Sequence, residues 1–134
     1  MYHSQGPEAY AQVSLESKLA GASPHQLISM LFDGARSAIL RAKIYFEDGK
    51  VAKRGEMISK AINIIDNGLR ASLDHKKGME IAADLERLYE YISRLLMQAN
   101  LHSDVAKLEQ AAKLITDISE TWEAISPLNQ AGQR

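Results

Sequence analysis

The chain has 134 residues, and its 16 basic and 17 acidic side chains give a formal net charge of −1, with both signs interspersed. This balance excludes the strongly charged surfaces by which many proteins bind nucleic acid or anionic membranes. The absence of cysteine excludes disulfides and thiolate zinc sites and fits a reducing cytosol. The length suits one domain with a substantial hydrophobic core.

The hydropathy pattern predicts neither export nor membrane insertion. The N-terminal sequence MYHSQGPEAY lacks the basic and apolar regions of a signal peptide. No apolar run approaches the roughly 18–20 residues of a transmembrane helix. We therefore expect a soluble, cytoplasmic protein.

Residues 1–22 are predicted to form an N-terminal segment outside the main fold. Within it, the stretch 10–20 has weak helical spacing, with Tyr10, Val13 and Leu19 as apolar anchors. We expect these anchors to pack on the rest of the protein.

The most strongly patterned stretch of the chain is 23–46. Ser23 suits an N-cap, Pro24 suits the first helical position, and Gln26 stands where a capping box places its reciprocal side chain. Gly49 predicts that this helix ends shortly before it.

This first helix carries apolar side chains over roughly 160° of its circumference, against the ~100° that a surface helix normally buries. One stripe consists of Leu27, Leu31, Ala35, Ala38, Ala42 and Tyr45, and the stripe beside it consists of Ile28, Phe32, Ile39 and Phe46. Either the helix is the central one of a bundle, or part of this surface binds a partner. We assign the first stripe to the core and the second to a partner.

Three more helices with apolar stripes are predicted, over 51–73, over 79–101, and from Ser103 or Asp104 to about residue 125. Helices of ~20 residues joined by short links run antiparallel to their neighbours. We therefore predict an all-α fold, an antiparallel up-down-up-down four-helix bundle over 23–126 with a short N-terminal helical segment. Residues 127–134 are predicted to form a mobile tail.

The residues that catalysis or metal binding would require are not arranged for either. The four histidines fall at termini, caps or links, and none forms the i,i+4 pair of a helical zinc site. No glutamate is followed by histidine three residues later, as a di-iron bundle requires. The run from His75 to Gly78 resembles a phosphotransfer site, but its spacing differs and a solvated turn is the simpler interpretation. We predict no metal and no cofactor, and no motif organises the serines for nucleophilic catalysis.

The second helix adds an apolar row at heptad spacing, Met57, Ile64 and Ala71. We expect this row to lie beside the second stripe of the first helix, so that the two form a groove for a partner. Residues 1–20 are predicted to cover the groove until the partner displaces them. The predicted partner-binding residues are Tyr10, Ile28, Phe32, Ile39, Phe46, Met57, Ile64 and Ala71.

Several short sequences in this order resemble one known family. They are AYAQV at 9–13, ASPHQLISMLFDGA at 22–35, KAINIIDNGL at 60–69, KGMEIAADLERLYEYI at 77–92, and the late Trp122. Together they resemble the flagellar export chaperones of the FliS type, in particular the enterobacterial-like branch.

The resemblance implies a cytosolic helical bundle without enzymatic activity. It implies that the chain binds the C-terminal segment of flagellin, keeps it from polymerising early, and delivers it to the type III flagellar export apparatus. It also implies that Tyr10 contributes to the groove and to docking on an export gate protein. We expect a monomer that binds flagellin 1:1. A self-associating bundle and a phosphotransfer-type signalling bundle remain the alternatives.

Overall fold

The computed structural model describes residues 15–126, and every regular element in this range is helical. After a helical segment at residues 15–20, the elements are α1 (Pro24–Glu47), α2 (Val51–Ile64), a π-helical segment (Ile65–Arg70), α3 (His75–Leu101) and α4 (Val105–Ala124). The predicted all-α fold is confirmed. The predictions made for Tyr10, Val13 and the tail at 127–134 concern parts of the chain outside the described residues.

Helix α1 begins and ends as its sequence predicts. The Ser23 hydroxyl accepts a hydrogen bond from the Gln26 backbone N–H at 3.2 Å, and the Gln26 side chain accepts one from the Ser23 N–H at 2.8 Å. This capping box satisfies two donors that the first turn would otherwise leave unpaired. At the other end, Gly49 adopts a φ of +69°, which stops the helix in a conformation that a side chain would oppose.

Helix α4 runs antiparallel to α1, because contacts join the start of each helix to the end of the other. Near the start of α1, Trp122 Nε1 donates to the His25 carbonyl oxygen at 3.1 Å. Near its end, Lys43 Nζ lies 3.5 Å from Glu109 Oε1. Helix α1 also packs on α2, and α3 packs on both α2 and α4. The four helices therefore follow one another around an up-down-up-down bundle.

The core lies along the bundle axis and receives apolar side chains from every helix and from the π-helical segment. Its largest fully buried members are Phe32, Ile58, Ile65, Leu69, Ile92, Leu96, Leu108 and Ile115. Alanines of α1, such as Ala35 and Ala42, are completely buried where the helices approach closely. No helix within 15–126 is long and apolar enough to cross a membrane.

A buried arginine joins three helices at the end of the bundle where α1 stops. Arg54 is only 8% exposed, and it donates from Nε to Asn100 Oδ1 at 3.1 Å and from Nη2 to the Asn100 carbonyl oxygen at 3.2 Å. Its guanidinium carbon also lies 4.3 Å from the centre of the Phe46 ring. The C-terminal end of α3 carries a partial negative charge, so it favours this cation.

The prediction of one α-helix over 51–73 is wrong in its second half. The chain changes from α to π geometry at Ile65 and leaves helical structure after Arg70. A Cβ atom on Gly68 would stand 3.0 Å from Leu31 Cδ2, so glycine allows α1 to approach the π-helical segment closely. The apolar spacing does not distinguish a π turn from an α turn.

Helix α3 begins earlier than the predicted residue 79. The Asp74 carboxylate accepts from the backbone N–H groups of Lys76 and Lys77 at 3.1 and 3.0 Å, so the helix starts at His75 rather than after a link. The helix is kinked at Met79, whose φ of 47° and ψ of −118° are unusual for a residue with a side chain.

Candidate functional site

An apolar cleft of about 400 Å³ opens at the end of the bundle where α1 and α3 begin and where the π-helical segment and α4 end. Its lining consists of Ile28, Phe32, Leu69, Ser72, Leu73, Ile81, Leu85, Tyr89, Ile118, Thr121, Trp122 and Ile125. No charged side chain lines it among the described residues. The volume lies within the ~300–1,000 Å³ of typical ligand pockets, and the composition suits apolar side chains.

The mouth of the cleft is unusually apolar for a surface in water. Ile81 is 71% exposed and Ile125 is 50% exposed, although both contribute to the lining. Met79, two residues before Ile81 in the chain, is 73% exposed. Apolar side chains that cluster around a preformed cavity are typical of surfaces that bind a partner.

The wall formed by α1 and α4 is held in place by a stacked ring pair. The His25 and Trp122 rings lie parallel within 7°, with centres 4.3 Å apart, and the indole N–H donates to the His25 carbonyl. Ser29 donates a hydrogen bond to Glu123 one turn further along. These contacts fix Trp122 against the cleft before any partner binds.

Glu86 makes polar contacts at the opposite wall of the cleft, which the π-helical segment and α3 form together. Glu86 lies 3.3 Å from Arg70 Nε through one oxygen and 3.5 Å from His75 Nε2 through the other. These side chains are substantially exposed, so the pairs contribute little stability. They orient the short connection that places Leu73 in the cleft. His75 thus lies beside the Glu86 carboxylate at the start of α3.

Tyr89 is the most buried polar side chain of the lining. It is 3% exposed, and burial raises its pKa from 10.0 to about 12. The tyrosine therefore keeps its proton at any physiological pH. Its hydroxyl makes no hydrogen bond to any residue that the structure describes.

The prediction that the stripe Ile28, Phe32, Ile39 and Phe46 is the surplus surface of α1 is wrong in part. Phe32 and Ile39 are each 2% exposed, because α4 packs against this side of the helix. Leu27, which was assigned to the core, is instead 38% exposed. The wide apolar arc of α1 packs against two neighbouring helices. Ile28 and Phe32 line the cleft near the start of α1.

The prediction that the row Met57, Ile64 and Ala71 lies beside that stripe is wrong. Ile64 Cδ1 lies 3.3 Å from where a Cβ of Gly34 would stand, on the side of α1 away from Phe32. Met57 and Ile64 are half-buried against the core, whereas Ala71 is exposed in the turn after the π-helical segment. Whether any of the predicted residues binds a partner stays a prediction.

A second depression follows the α1–α4 interface and has a volume of about 630 Å³. Its floor contains Ile39, Leu108 and Ile115, and its sides carry charged residues that include Arg36 and Lys43. Ile39 is thus the one predicted partner residue in this α1–α4 groove. A further recess, lined in part by Ser17 and Lys18, meets this groove at Asp33 and Arg36.

The sequence prediction missed the role of the cleft residues on α3 and α4. Ile81 and Leu85 were part of the apolar stripe of α3, and that pattern assigns them to the core. The structure leaves Ile81 71% exposed near the start of α3, two residues after the kink at Met79. Over residues 15–126, no three His, Asp or Glu side chains are placed to hold a metal ion.

A four-helix bundle with a preformed apolar cleft, and no charged lining among the described residues, is typical of proteins that bind an apolar segment. Consistent with this class, the family model for the flagellar protein FliS matches residues 6–129, and the chain belongs to this family. The resemblance seen in its sequence motifs is thereby confirmed.

Relatives from several bacteria carry the name flagellar secretion chaperone FliS. The Salmonella typhimurium protein is 56% identical over 127 residues, which cover 95% of this chain and 94% of the relative. The Escherichia coli protein is 45% identical over 123 residues, or 92% of this chain and 90% of the relative. The Bacillus subtilis protein is 30% identical over 115 residues, or 86% and 81%.

Proposed function

We propose that this protein is a cytoplasmic, non-enzymatic chaperone that binds the C-terminal segment of flagellin. It prevents premature polymerisation of flagellin and delivers it to the flagellar type III export apparatus, where an export gate protein is the second partner. Membership in a family of secretion chaperones supports this role, and chaperones are not an enzyme class. The sequence resemblance supports flagellin as the client.

The observation that carries the proposal is the apolar cleft with its exposed rim. Ile81 and Ile125 stand in water beside a cavity that is already formed, and a client with apolar side chains would remove both from water. Recognition of this kind, in which an amphipathic segment places its apolar face in a groove, recurs among peptide-binding proteins.

The energetics of such binding favour a contact longer than the cleft. Ordering a disordered client costs ~2–5 kcal/mol or more, and association costs a further ~4–15 kcal/mol. Each fully buried Leu or Ile returns only ~1.5–3 kcal/mol. A cleft of about 400 Å³ holds few such anchors, so we propose that the client continues into the α1–α4 groove of about 630 Å³.

The N-terminal segment is proposed to cover part of this surface until flagellin binds. Ser17 and Lys18 of the helical segment line the recess that continues the α1–α4 groove, which brings the segment to the edge of this surface. Leu19, which was predicted as an anchor, is 44% exposed and does not line the recess. Deletion of residues 1–20 should increase the fluorescence of a hydrophobic dye. An unchanged signal would count against a covering role.

Co-purification tests the proposal as a whole. The protein is expected to co-purify with full-length flagellin but not with flagellin that lacks its C-terminal segment. Stepwise shortening of that segment should weaken binding gradually, because the contact is long. Retention of flagellin without the segment would contradict the proposed site of recognition, and full affinity of one short helix would contradict the long contact.

The stoichiometry follows from the same proposal. We expect the complex to be 1:1, because one client segment covers both the cleft and the α1–α4 groove. We expect the free protein to be a monomer. Sedimentation of the free protein and of the complex measures both. A stable dimer of the free protein would favour the self-associating alternative.

A further inference from the structure

The cleft contains one hydrogen-bond donor that the protein itself does not use. Tyr89 is 3% exposed and lines the cleft, and its hydroxyl has no acceptor among residues 15–126. The other donors of the lining are engaged. The Ser72 hydroxyl donates to the Gly68 carbonyl at 2.6 Å, the Thr121 hydroxyl donates to the Asp117 carbonyl at 3.1 Å, and the indole N–H of Trp122 is bonded as described above.

Water in the open cleft can pair with this hydroxyl in the free protein, because the Tyr89 oxygen is not among the completely buried polar atoms of the described residues that lack a partner. Ile28, Leu85 and Ile118 line the same cleft and offer no acceptor from their side chains. A client that fills the cleft displaces this water, and the hydroxyl would then be buried without a partner unless the client offers an acceptor. Most buried polar groups in proteins do find a partner. The position of Tyr89 therefore points to an acceptor that a bound client supplies.

We propose that Tyr89 donates a hydrogen bond to a neutral backbone carbonyl of the client segment that occupies the cleft. This inference rests on the proposed function and deepens it. The last turn of a helix has carbonyls without an intrahelical partner, so an apolar helix end supplies both the side chains and the acceptor. A cavity of about 400 Å³ has room for the side chains of one such turn.

The chemistry of the lining favours a neutral acceptor over a carboxylate. No Lys, Arg or His lines the cleft among the described residues, and Arg70, on the adjacent segment, is paired with Glu86. A carboxylate buried here would lack a counter-ion, which is costly. Because burial raises the pKa of Tyr89 to about 12, its hydroxyl remains a donor over the whole physiological range.

The test compares Tyr89→Phe with the wild type in two measurements, affinity for a flagellin C-terminal peptide by calorimetry and thermal stability of the free protein. Tyr89→Phe should weaken binding about 3- to 10-fold, equivalent to about 0.7–1.4 kcal/mol, and should leave stability nearly unchanged, because water pairs with the hydroxyl in the free protein. A purely structural tyrosine would lower stability when its hydroxyl is removed, so a loss of affinity without a loss of stability identifies the proposed role.

Tyr91→Phe is the matched control, because Tyr91 lies on the same helix but outside the cleft. It is 39% exposed, and its hydroxyl accepts from Gln110 Nε2 at 3.0 Å. Its removal should leave peptide affinity unchanged. A peptide with an amidated C-terminus should bind like the free acid, because the acceptor is a backbone carbonyl and not the terminal carboxylate.

The outcomes separate this inference from the function on which it rests. If the wild type does not bind the peptide, both are wrong. If the wild type binds and Tyr89→Phe binds equally well, only the inference is wrong. Loss of both stability and affinity in Tyr89→Phe would make Tyr89 structural, and a preference of the wild type for the free acid over the amide would identify a carboxylate acceptor. Either result overturns the proposal.

Discussion

Substitution of Ile81 by serine tests the cleft directly, because this side chain is mostly exposed in the free protein. Ile81 is 71% exposed, so the variant should lose little folding stability. Full burial of an isoleucine is worth about 1.5–3 kcal/mol. If the client covers the exposed 71%, Ile81→Ser should weaken binding by about 1–2 kcal/mol, or about 5- to 30-fold in Kd.

Leu101→Ser is the matched control for this measurement. Leu101 is 74% exposed, similar to Ile81, and it ends the same helix at the opposite end of the bundle. Calorimetric titration with a flagellin C-terminal peptide gives the Kd of each variant, and thermal unfolding confirms that both are folded. Equal affinities for wild type and Ile81→Ser, or an equal loss in both variants, would refute the assignment of the cleft as the client site.

Four further predictions concern stability and follow from individual contacts. Asn100→Ala removes the side-chain acceptor of the buried Arg54 and should cost about 1.5–3 kcal/mol in urea unfolding; a neutral effect would show that the guanidinium finds another partner. Asp104→Ala removes the N-cap of α4 and should cost about 1 kcal/mol, and an unchanged melting temperature would contradict this. Gly55→Ala should stabilise α2 by about 0.5–1 kcal/mol, since a new Cβ would meet its nearest neighbour, an atom of Asn100, at an ordinary 3.6 Å; a loss of stability would contradict it. The pKa of Tyr89 is about 12 in the folded protein, against 10.0 for an ordinary tyrosine in the unfolded chain. Between these pH values the unfolded chain loses the proton that the folded protein keeps. The free energy of unfolding should therefore fall by at most about 1.4 kcal/mol per pH unit. Tyr89→Phe should lack this decline, and identical pH curves would contradict it.

Much of the fold could be predicted because the relevant signals are local. The capping box of Ser23 and Gln26 and the positive φ of Gly49 depend on a few neighbouring residues, so the bounds of α1 were predicted correctly. Two local features were not predicted, the π-helical segment and the kink at Met79. Both sequences satisfy α-helical spacing, so the apolar period does not reveal either feature.

The candidate site could be predicted only in part. Of the predicted residues within 15–126, Ile28 and Phe32 line the cleft and Ile39 lines the α1–α4 groove, while Met57 and Ile64 pack elsewhere against the core. The exposure of a side chain depends on which neighbouring helix covers it. The sequence of one helix does not contain this information.

By itself the sequence determined the number of helices, most of their bounds, and the family, because caps, apolar period and motifs are properties of short stretches. Only the tertiary structure decided which apolar faces are covered. The 3.6-residue period shows which side chains share a face, but it does not show which neighbour lies against that face. Phe32 is therefore buried under α4 while Ile81, on an equally apolar stripe, remains exposed at the mouth of the cleft.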